Sequence, residues 1–303
     1  MAVDLGNGDG NSKYLKDFTE LEFIACGGFS SVVKCRSRLD GKLYAVKKIS
    51  VEFSGMTVDR VLREAQIMAE LDHPHIAKYH EAWVEDQMWG DTGHFYKKCD
   101  VETKCVFILM DLYNCSPLDQ LLENDDKLEA SISDGSIFRL FKECVAAVSY
   151  IHSRGYVHCD MTASNVLVVR GADSTVTAKV IDFGLARRMD DEGLVVISNQ
   201  LGHIMYRAPE CIAESTRTTD RPVVKVGAKA DMFSLGVILA QILHPTCPIE
   251  MFEDLREIPI PDRWREGTYG SILARLVSLS PDERPSAAQL LQELDSLPPS
   301  ADS

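Results

Sequence analysis

His158-Cys159-Asp160-Met161-Thr162-Ala163-Ser164-Asn165 is the run on which the reading of this chain turns, and Ile181-Asp182-Phe183-Gly184 and Ala208-Pro209-Glu210 follow it in order. Outward from these runs the pattern is helical. Upstream, Ile137, Leu140, Phe141, Cys144, Val145, Val148 and Ile151 recur at three- and four-residue steps, which puts them on one helix face, and Gly155 supplies a C-terminal cap. Downstream, Asp231 to Leu243 is apolar nearly all round, which predicts a buried central helix. Ser286, with Gln289 three residues on, predicts a capping box that opens the last helix.

Between Phe18 and Tyr113 the character differs. Phe18–Ile24, Ser31–Arg36, Leu43–Ile49, Ile76–Val84 and Val106–Leu112 are short β-branched and aromatic runs that predict a small sheet. Asp40-Gly41 predicts a tight hairpin with positive φ at both turn positions. One helix interrupts the strands, with Val58, Val61, Leu62, Ala65, Met68 and Leu71 along one face and Arg63 and Glu64 on the polar face. The glycine-containing run Ala25-Cys26-Gly27-Gly28-Phe29-Ser30-Ser31-Val32 joins two predicted strands, and Tyr44-Ala45-Val46-Lys47 lies on the next. Singly, Lys47 and Glu64 read as an exposed lysine and a solvated glutamate. Their order across a strand and a helix makes them a candidate pair.

Composition narrows the class. At 303 residues and 45% hydrophobic content the chain suits one large domain or two lobes with a substantial core. A formal charge of −14 argues against a general nucleic-acid binder, which needs clustered Lys and Arg, and suits a basic protein partner. No run approaches 18 uninterrupted apolar residues and the start lacks a basic flank and apolar core, so no membrane partner is expected and the placement is cytoplasmic. Nine scattered cysteines without a C-x-x-C pair predict reduced thiols, and His94, Cys99 and Cys105 match no usual metal spacing. Residues 1–16 read as a disordered leader and 298–303 as a frayed tail, around lobes at 17–113 and 114–297.

The three quoted runs resemble the catalytic loop, the metal-binding triplet and the end of the activation segment of protein kinases, over residues 17 to 297. The resemblance implies an α+β, bilobal protein-kinase fold, with a strand-rich N-lobe carrying one regulatory helix and a mainly helical C-lobe. It implies transfer of the γ-phosphate of ATP to a protein hydroxyl, with ATP and Mg2+ as cofactors. By resemblance, Asp160 serves the hydroxyl proton, Asn165 and Asp182 hold magnesium, and Lys47, oriented by Glu64, holds the α- and β-phosphates. Ala25, Gly27 and Val32 belong to the phosphate-covering loop, Ala45, Leu167 and Ile181 line the adenine slot, and Met110 precedes a hinge at Asp111 to Tyr113. Phosphoryl transfer offers a protein little covalent work, so catalysis is positioning and charge neutralisation, and hard oxygen ligands suit magnesium. Glu210 with Arg284, and Asp231, match architectural positions: a buried ion pair and a hold on the catalytic loop.

His73-Pro-His-Ile-Ala-Lys-Tyr-His-Glu-Ala-Trp83-Val-Glu85 is similar to the fourth-strand segment of kinases that phosphorylate the α subunit of translation initiation factor 2, with Trp83 distinctive. That resemblance implies serine/threonine specificity, this subunit as protein substrate, and translation regulation. It also implies a polar insert at Asp86 to Lys104 and a substrate-docking helix at Glu250 to Arg256. A divergent serine/threonine kinase and a pseudokinase scaffold stay open as alternatives. So do a homodimer, a separate subunit or no input at all as routes to activation.

Five positions depart from the pattern: Ala25 and Ser30 replace glycines, Cys159 replaces the arginine that reads a phosphorylated activation loop, and Thr162 and His203 replace a lysine and a threonine. Ser198 is the only Ser or Thr between Asp182 and Glu210, so switching by phosphorylation is not expected. An exchange of hydroxyl and imidazole is predicted, with His203 near Asp160 and Thr162 bonding it, and activity then depends on pH near neutrality. Cys211 to Lys229, with Arg217, Arg221, Lys225 and Lys229, reads as a solvated surface loop, or as a docking loop for an acidic partner.

Overall fold

The computed structural model describes residues 12–27, 30–51, 57–88, 102–123, 134–171, 175–198, 202–212, 223–243 and 267–297. The chain divides into two compact units: residues up to Asp72 with Ala77–Tyr113, and His73–Ile76 with the residues from Asn114 onward. The fold is α+β, with the strands concentrated in the first unit and the long helices in the second.

In the first unit β1 (Phe18–Cys26), β2 (Ser30–Ser37), β3 (Leu43–Ser50), β4 (Tyr79–Met88) and β5 (Glu102–Asp111) form an antiparallel sheet in the order β1-β2-β3-β5-β4. Alternation along the strands gives the sheet two faces with separate tasks. Val33, Cys35, Val46, Phe107 and Leu109 form an apolar core on one face, joined by Tyr14, Phe18 and Trp83. Trp83 stacks on Phe107 at 5.2 Å and on Phe18 at 5.9 Å between ring centres. Its indole N–H donates to Glu85, which also accepts from Ser12 Oγ and the Tyr14 N–H.

Those contacts correct the expected leader at 1–16. Lys13–Asp17 form a short helix, α1, capped by Ser12, because Tyr14 is 3% exposed and stacks on Phe107 at 5.0 Å. Residues 1–11 lie outside the described residues. The hairpin at Asp40-Gly41 also differs: only Gly41 has positive φ, at 70°. Ser37 accepts from the N–H groups of Leu39 and Asp40 through its hydroxyl and from Gly41 through its carbonyl, closing a longer loop. The fourth strand starts at Tyr79, not Ile76, because Ile76 makes a parallel bridge to Val180 in the second unit. Both ends of the expected polar insert, Asp86–Met88 and Glu102–Lys104, are paired strand, and 89–101 lie outside the described residues.

Helix α2 (Val58–Glu70), capped by Thr57, buries Val61, Ala65, Ile67 and Met68. Glu64 is buried with them, against the expectation of a polar-face residue. Its ion pair with Lys47 is the physical reason.

The second unit contains α3 (Leu118–Leu122), α4 (Asp134–Ser153), α5 (Lys229–Leu243), α6 (Thr268–Leu276) and α7 (Ala287–Ser296). The predicted apolar stripe of α4 is fully buried, Gly155 takes φ 79° behind it, and α5 is buried along nearly its whole length. Ser286 and Gln289 make both bonds of the capping box. Small sheets connect the helices: β6 (Cys115–Pro117) with β8 (Val166–Arg170) and β9 (Val176–Val180), β7 (Tyr156–Val157) with β10 (Arg187–Arg188), and β11 (Leu194–Ser198) with β12 (Val223–Gly227). Strand β12 corrects the solvated-loop reading of Cys211 to Lys229, since five of those residues pair with β11. Arg284, 1% exposed, binds Glu210 with two nitrogens at 2.6 and 2.9 Å.

The central helix packs tightly at one point. A Cβ on Gly236 would stand 2.8 Å from Leu276 Cβ and 2.9 Å from Val277 Cγ1. Gly236→Ala gains about 1 kcal/mol of helix propensity but overpacks α5 against the end of α6, which typically costs about 1–3 kcal/mol. Net destabilisation, read as a lowered urea midpoint with unchanged slope, is the expected result.

Candidate functional site

The first unit brings together most of the sequence-nominated residues through strand register. Ala25 pairs with Val32, Val32 with Lys47, and Ala45 with Met110, so these five side chains share the sheet face opposite the aromatic core. Lys47 Nζ lies 2.7 Å from Glu64 Oε1, with both side chains about one-tenth exposed or less. Asp111, opposite Tyr44 in the register, accepts from His80 Nε2 at 2.6 Å, and the Tyr113 hydroxyl accepts the Lys78 N–H at 3.0 Å. Gly27 donates its N–H to the Ser30 carbonyl, and a Cβ there would meet Ser30 Oγ at 3.0 Å. The hairpin tip is therefore tight at Gly27. Gly28 and Phe29 lie outside the described residues.

In the second unit the carboxylate of Asp231 organises the loop that carries Asp160. It sits in the first turn of α5, 1% exposed, and accepts from His152 Nε2 (2.8 Å), the His158 N–H (2.8 Å) and the Cys159 N–H (2.9 Å). Burial pushes its carboxyl up, but the hydrogen bonds and attraction from His152 and His158 outweigh this and hold it below the usual carboxylate range. Fixing these two backbone groups holds Cys159 at φ 64°, a conformation unusual for a residue with a side chain.

Asp160 follows directly. Its N–H donates to His158 Nδ1 at 3.3 Å, which leaves His158 Nε2 to donate to the Ile181 carbonyl at 3.2 Å. Asn165 Nδ2 donates to both the backbone carbonyl (2.8 Å) and Oδ2 (3.1 Å) of Asp160, and the His203 backbone N–H donates to its carboxylate. Burial, with the nearby Asp182 charge, raises the Asp160 carboxyl above its ordinary range despite those donors. Asn165 also accepts the Ile181 N–H on its backbone carbonyl, which sets Asp182 beside the loop. Asp182 has φ 63° and accepts the Gly184 N–H.

The donor chemistry fits a hard divalent cation. Asn165 commits its amide nitrogen to Asp160 and keeps Oδ1 for a cation, and Asp182 adds a carboxylate whose repulsion of Asp160 a cation would relieve. Leu167 on β8 and Ile181 are both half-buried in the same unit.

The expected exchange between Thr162 and His203 does not occur. The Thr162 hydroxyl lies 2.8 Å from Ser164 Oγ and accepts the Asn165 N–H, capping the short 3-10 turn Ala163–Asn165. His203 reaches Asp160 with its backbone, and its exposed ring packs edge-on against Tyr206. The backbone approach was not legible in the sequence, although Gly202 is its trace. That residue has φ 81°, and a Cβ on it would stand 3.1 Å from Asp160 Oδ1. Burial holds the Cys159 thiol well above its usual pKa, so it stays a neutral group. His94, Cys99 and the segment 250–256 lie outside the described residues. No helix among the described residues is long and apolar enough to cross a membrane.

Comparison with known proteins agrees with this geometry. The family described as "Protein kinase domain" matches residues 18–294. The Interferon-induced, double-stranded RNA-activated protein kinase of Rattus norvegicus is 31% identical over 296 residues, covering 94% of this chain and 53% of the relative. The eIF-2-alpha kinase GCN2 of Arabidopsis thaliana is 30% identical over 93% of this chain and 25% of its own length. Wee1-like protein kinase 2 of Mus musculus is 27% identical over 92% of this chain and 49% of its own length. The chain thus spans about half the length, or less, of these curated relatives.

Two substitutions test the internal supports. Asp231→Asn removes the charge to which three donors converge, and breaking such a buried network costs about 3 kcal/mol. Because the native carboxyl value is depressed, its contribution is complete above the unfolded value near about 3.9 and fades as pH falls through the native value. The wild-type minus mutant difference in unfolding free energy should therefore be flat from about pH 5 to 7 and shrink below about pH 4. Glu64→Ala, which removes the buried carboxylate 2.7 Å from Lys47 Nζ, should cost about 3 kcal/mol in chemical denaturation.

Proposed function

The chain belongs to the protein kinase domain family, and on that premise we propose that it is a serine/threonine kinase that phosphorylates the α subunit of translation initiation factor 2. The observation that carries the catalytic part is Asp160, gripped by Asn165 and the His203 N–H on a loop held from the central helix by Asp231. For the substrate, support comes from the eIF-2-alpha kinase among the relatives and from the Trp83 segment. Wee1-like kinases also match, so the substrate is decided by assay.

ATP, with magnesium in this reading, supplies the phosphoryl group and the cation that neutralises its charge. In the first unit, Lys47, oriented by Glu64, binds the α- and β-phosphates, and the backbone near Ala25, Gly27 and Val32 covers them. Ala45, Met110, Asp111 and Tyr113 are that unit's contribution to the adenine pocket. In the second, Leu167 and Ile181 contribute apolar contact, while Asn165 and Asp182 offer the oxygen ligands. Asp160 orients the attacking hydroxyl and takes its proton.

Labelled-phosphate transfer from magnesium ATP to the purified α subunit, to a generic basic protein and to the chain itself tests both parts. Selective labelling of the subunit, reduced by about 10²–10⁴-fold in Asp160→Asn, is the expected result. Labelling of the other proteins alone would discard the substrate. Equal silence of wild type and mutant would favour a scaffold.

A further inference from the structure

Ribbon β11–β12 has no place in the machinery described so far. Leu194–Ser198 lies between Asp182 and Glu210, the segment that ends beside Asp160, and pairs over its whole length with Val223–Gly227. Val195 and Val226 oppose each other across the ladder and are 3% and 2% exposed. Ile197 and Val226 face the same small cavity as Cys159 and Asp160, so the ribbon backs directly on the catalytic loop. The turn that leads into β11 is also fixed: Asp190 accepts the N–H groups of Glu192 and Leu194, and Lys225 Nζ of β12 reaches Asp190 at 3.7 Å and Glu192 at 3.6 Å.

Beyond the ribbon, Gly202 and His203 bring backbone against Asp160, close enough that a Cβ on Gly202 would meet its carboxylate. That backbone is held from the C-terminal side by Arg207, which donates to the Gly202 carbonyl at 3.1 Å, and by the Tyr206 N–H on the His203 carbonyl. Its placement from the other side falls to what holds the segment before it. No charged side chain at position 159 can do so, since Cys159 is a neutral thiol, and Ser198 is the only Ser or Thr in the segment.

We propose that β12 is a built-in clamp: by pairing with β11 it holds the Gly202–His203 backbone against Asp160 and so orients the catalytic carboxylate without any phosphate on the segment. Val226, Val195 and Lys225 are positioning residues in this scheme. It rests on the phosphoryl-transfer reading and adds to it a regulation by strand pairing, encoded in the chain itself.

The test compares phosphatase-treated wild type, shown by mass to carry no phosphate, with Val226→Asp, Lys225→Glu, and Lys225→Glu combined with Glu192→Lys. Rates, the KM for ATP, and amide hydrogen exchange at 194–198 are measured on each. Dephosphorylated wild type should be fully active. Val226→Asp should lose at least about tenfold in kcat, with the KM for ATP within about twofold and faster exchange at 194–198. Lys225→Glu is exposed and folds normally, and should lose about threefold in kcat, restored by Glu192→Lys. The clamp is overturned by exchange that does not change in either variant, by faster exchange with kcat intact, or by activity that appears only after phosphorylation. An inactive wild type would sink the phosphoryl-transfer reading and with it the clamp's catalytic role. Exchange at 194–198, unchanged by Val226→Asp, would separately show that β12 does not hold the segment.

Discussion

A single buried carboxylate sets the geometry on which the second unit's chemistry depends. Asp231 opens the apolar central helix, where the helix dipole favours negative charge, and it has no solvent to share that charge with. Burial at that depth is tolerated because three donors converge on it, two of them backbone N–H groups of the loop before Asp160. The same bonds that satisfy the charge hold Cys159 in a left-handed conformation, and that kink delivers Asp160 to Asn165 and to His203. Stability of the helix and geometry of the loop are thus one interaction seen from two sides.

In the first unit the corresponding constraint is strand alternation. Val33, Cys35, Val46, Phe107 and Leu109 fill one face of the sheet and hold it with Tyr14, Phe18 and Trp83, while Val32, Ala45, Lys47 and Met110 take the other by parity and Ala25 joins them through the register shift after Phe23. A slip of one residue in β3 would send Lys47 into the aromatic core. The dense packing of that core, with Trp83 tied to Glu85, protects the register on which the Lys47–Glu64 pair depends.

The departures at positions 162 and 203 are resolved differently from the predicted exchange. Thr162 turns inward to cap the 3-10 turn that carries Asn165, and Asn165 reaches back to Asp160. His203 supplies a backbone N–H, which any residue has, so its imidazole is not needed at the carboxylate. A glycine beside it suits the site, because the backbone there takes φ 81° and a Cβ would crowd Asp160 Oδ1 at 3.1 Å.

By itself the sequence determined the strand-rich and helical divisions, the buried face of α4, the apolar α5, the capping box of α7 and the residue types of the candidate site, because each is a local pattern of period, cap or motif. Helical spacing put Glu64 on a polar face, although its order after Lys47 already marked the two as a candidate pair; only the structure showed that the pair is buried. Likewise α1 looked like leader until Phe107 and Glu85 gave Tyr14 and Ser12 partners some 70 to 90 residues away. Only the tertiary structure decided that Val223–Gly227 is a strand and that Asp160 is held by a backbone N–H. Both are contacts between segments distant in sequence, and a backbone donor, identical in every residue but proline, marks the sequence only indirectly, here through the adjacent Gly202.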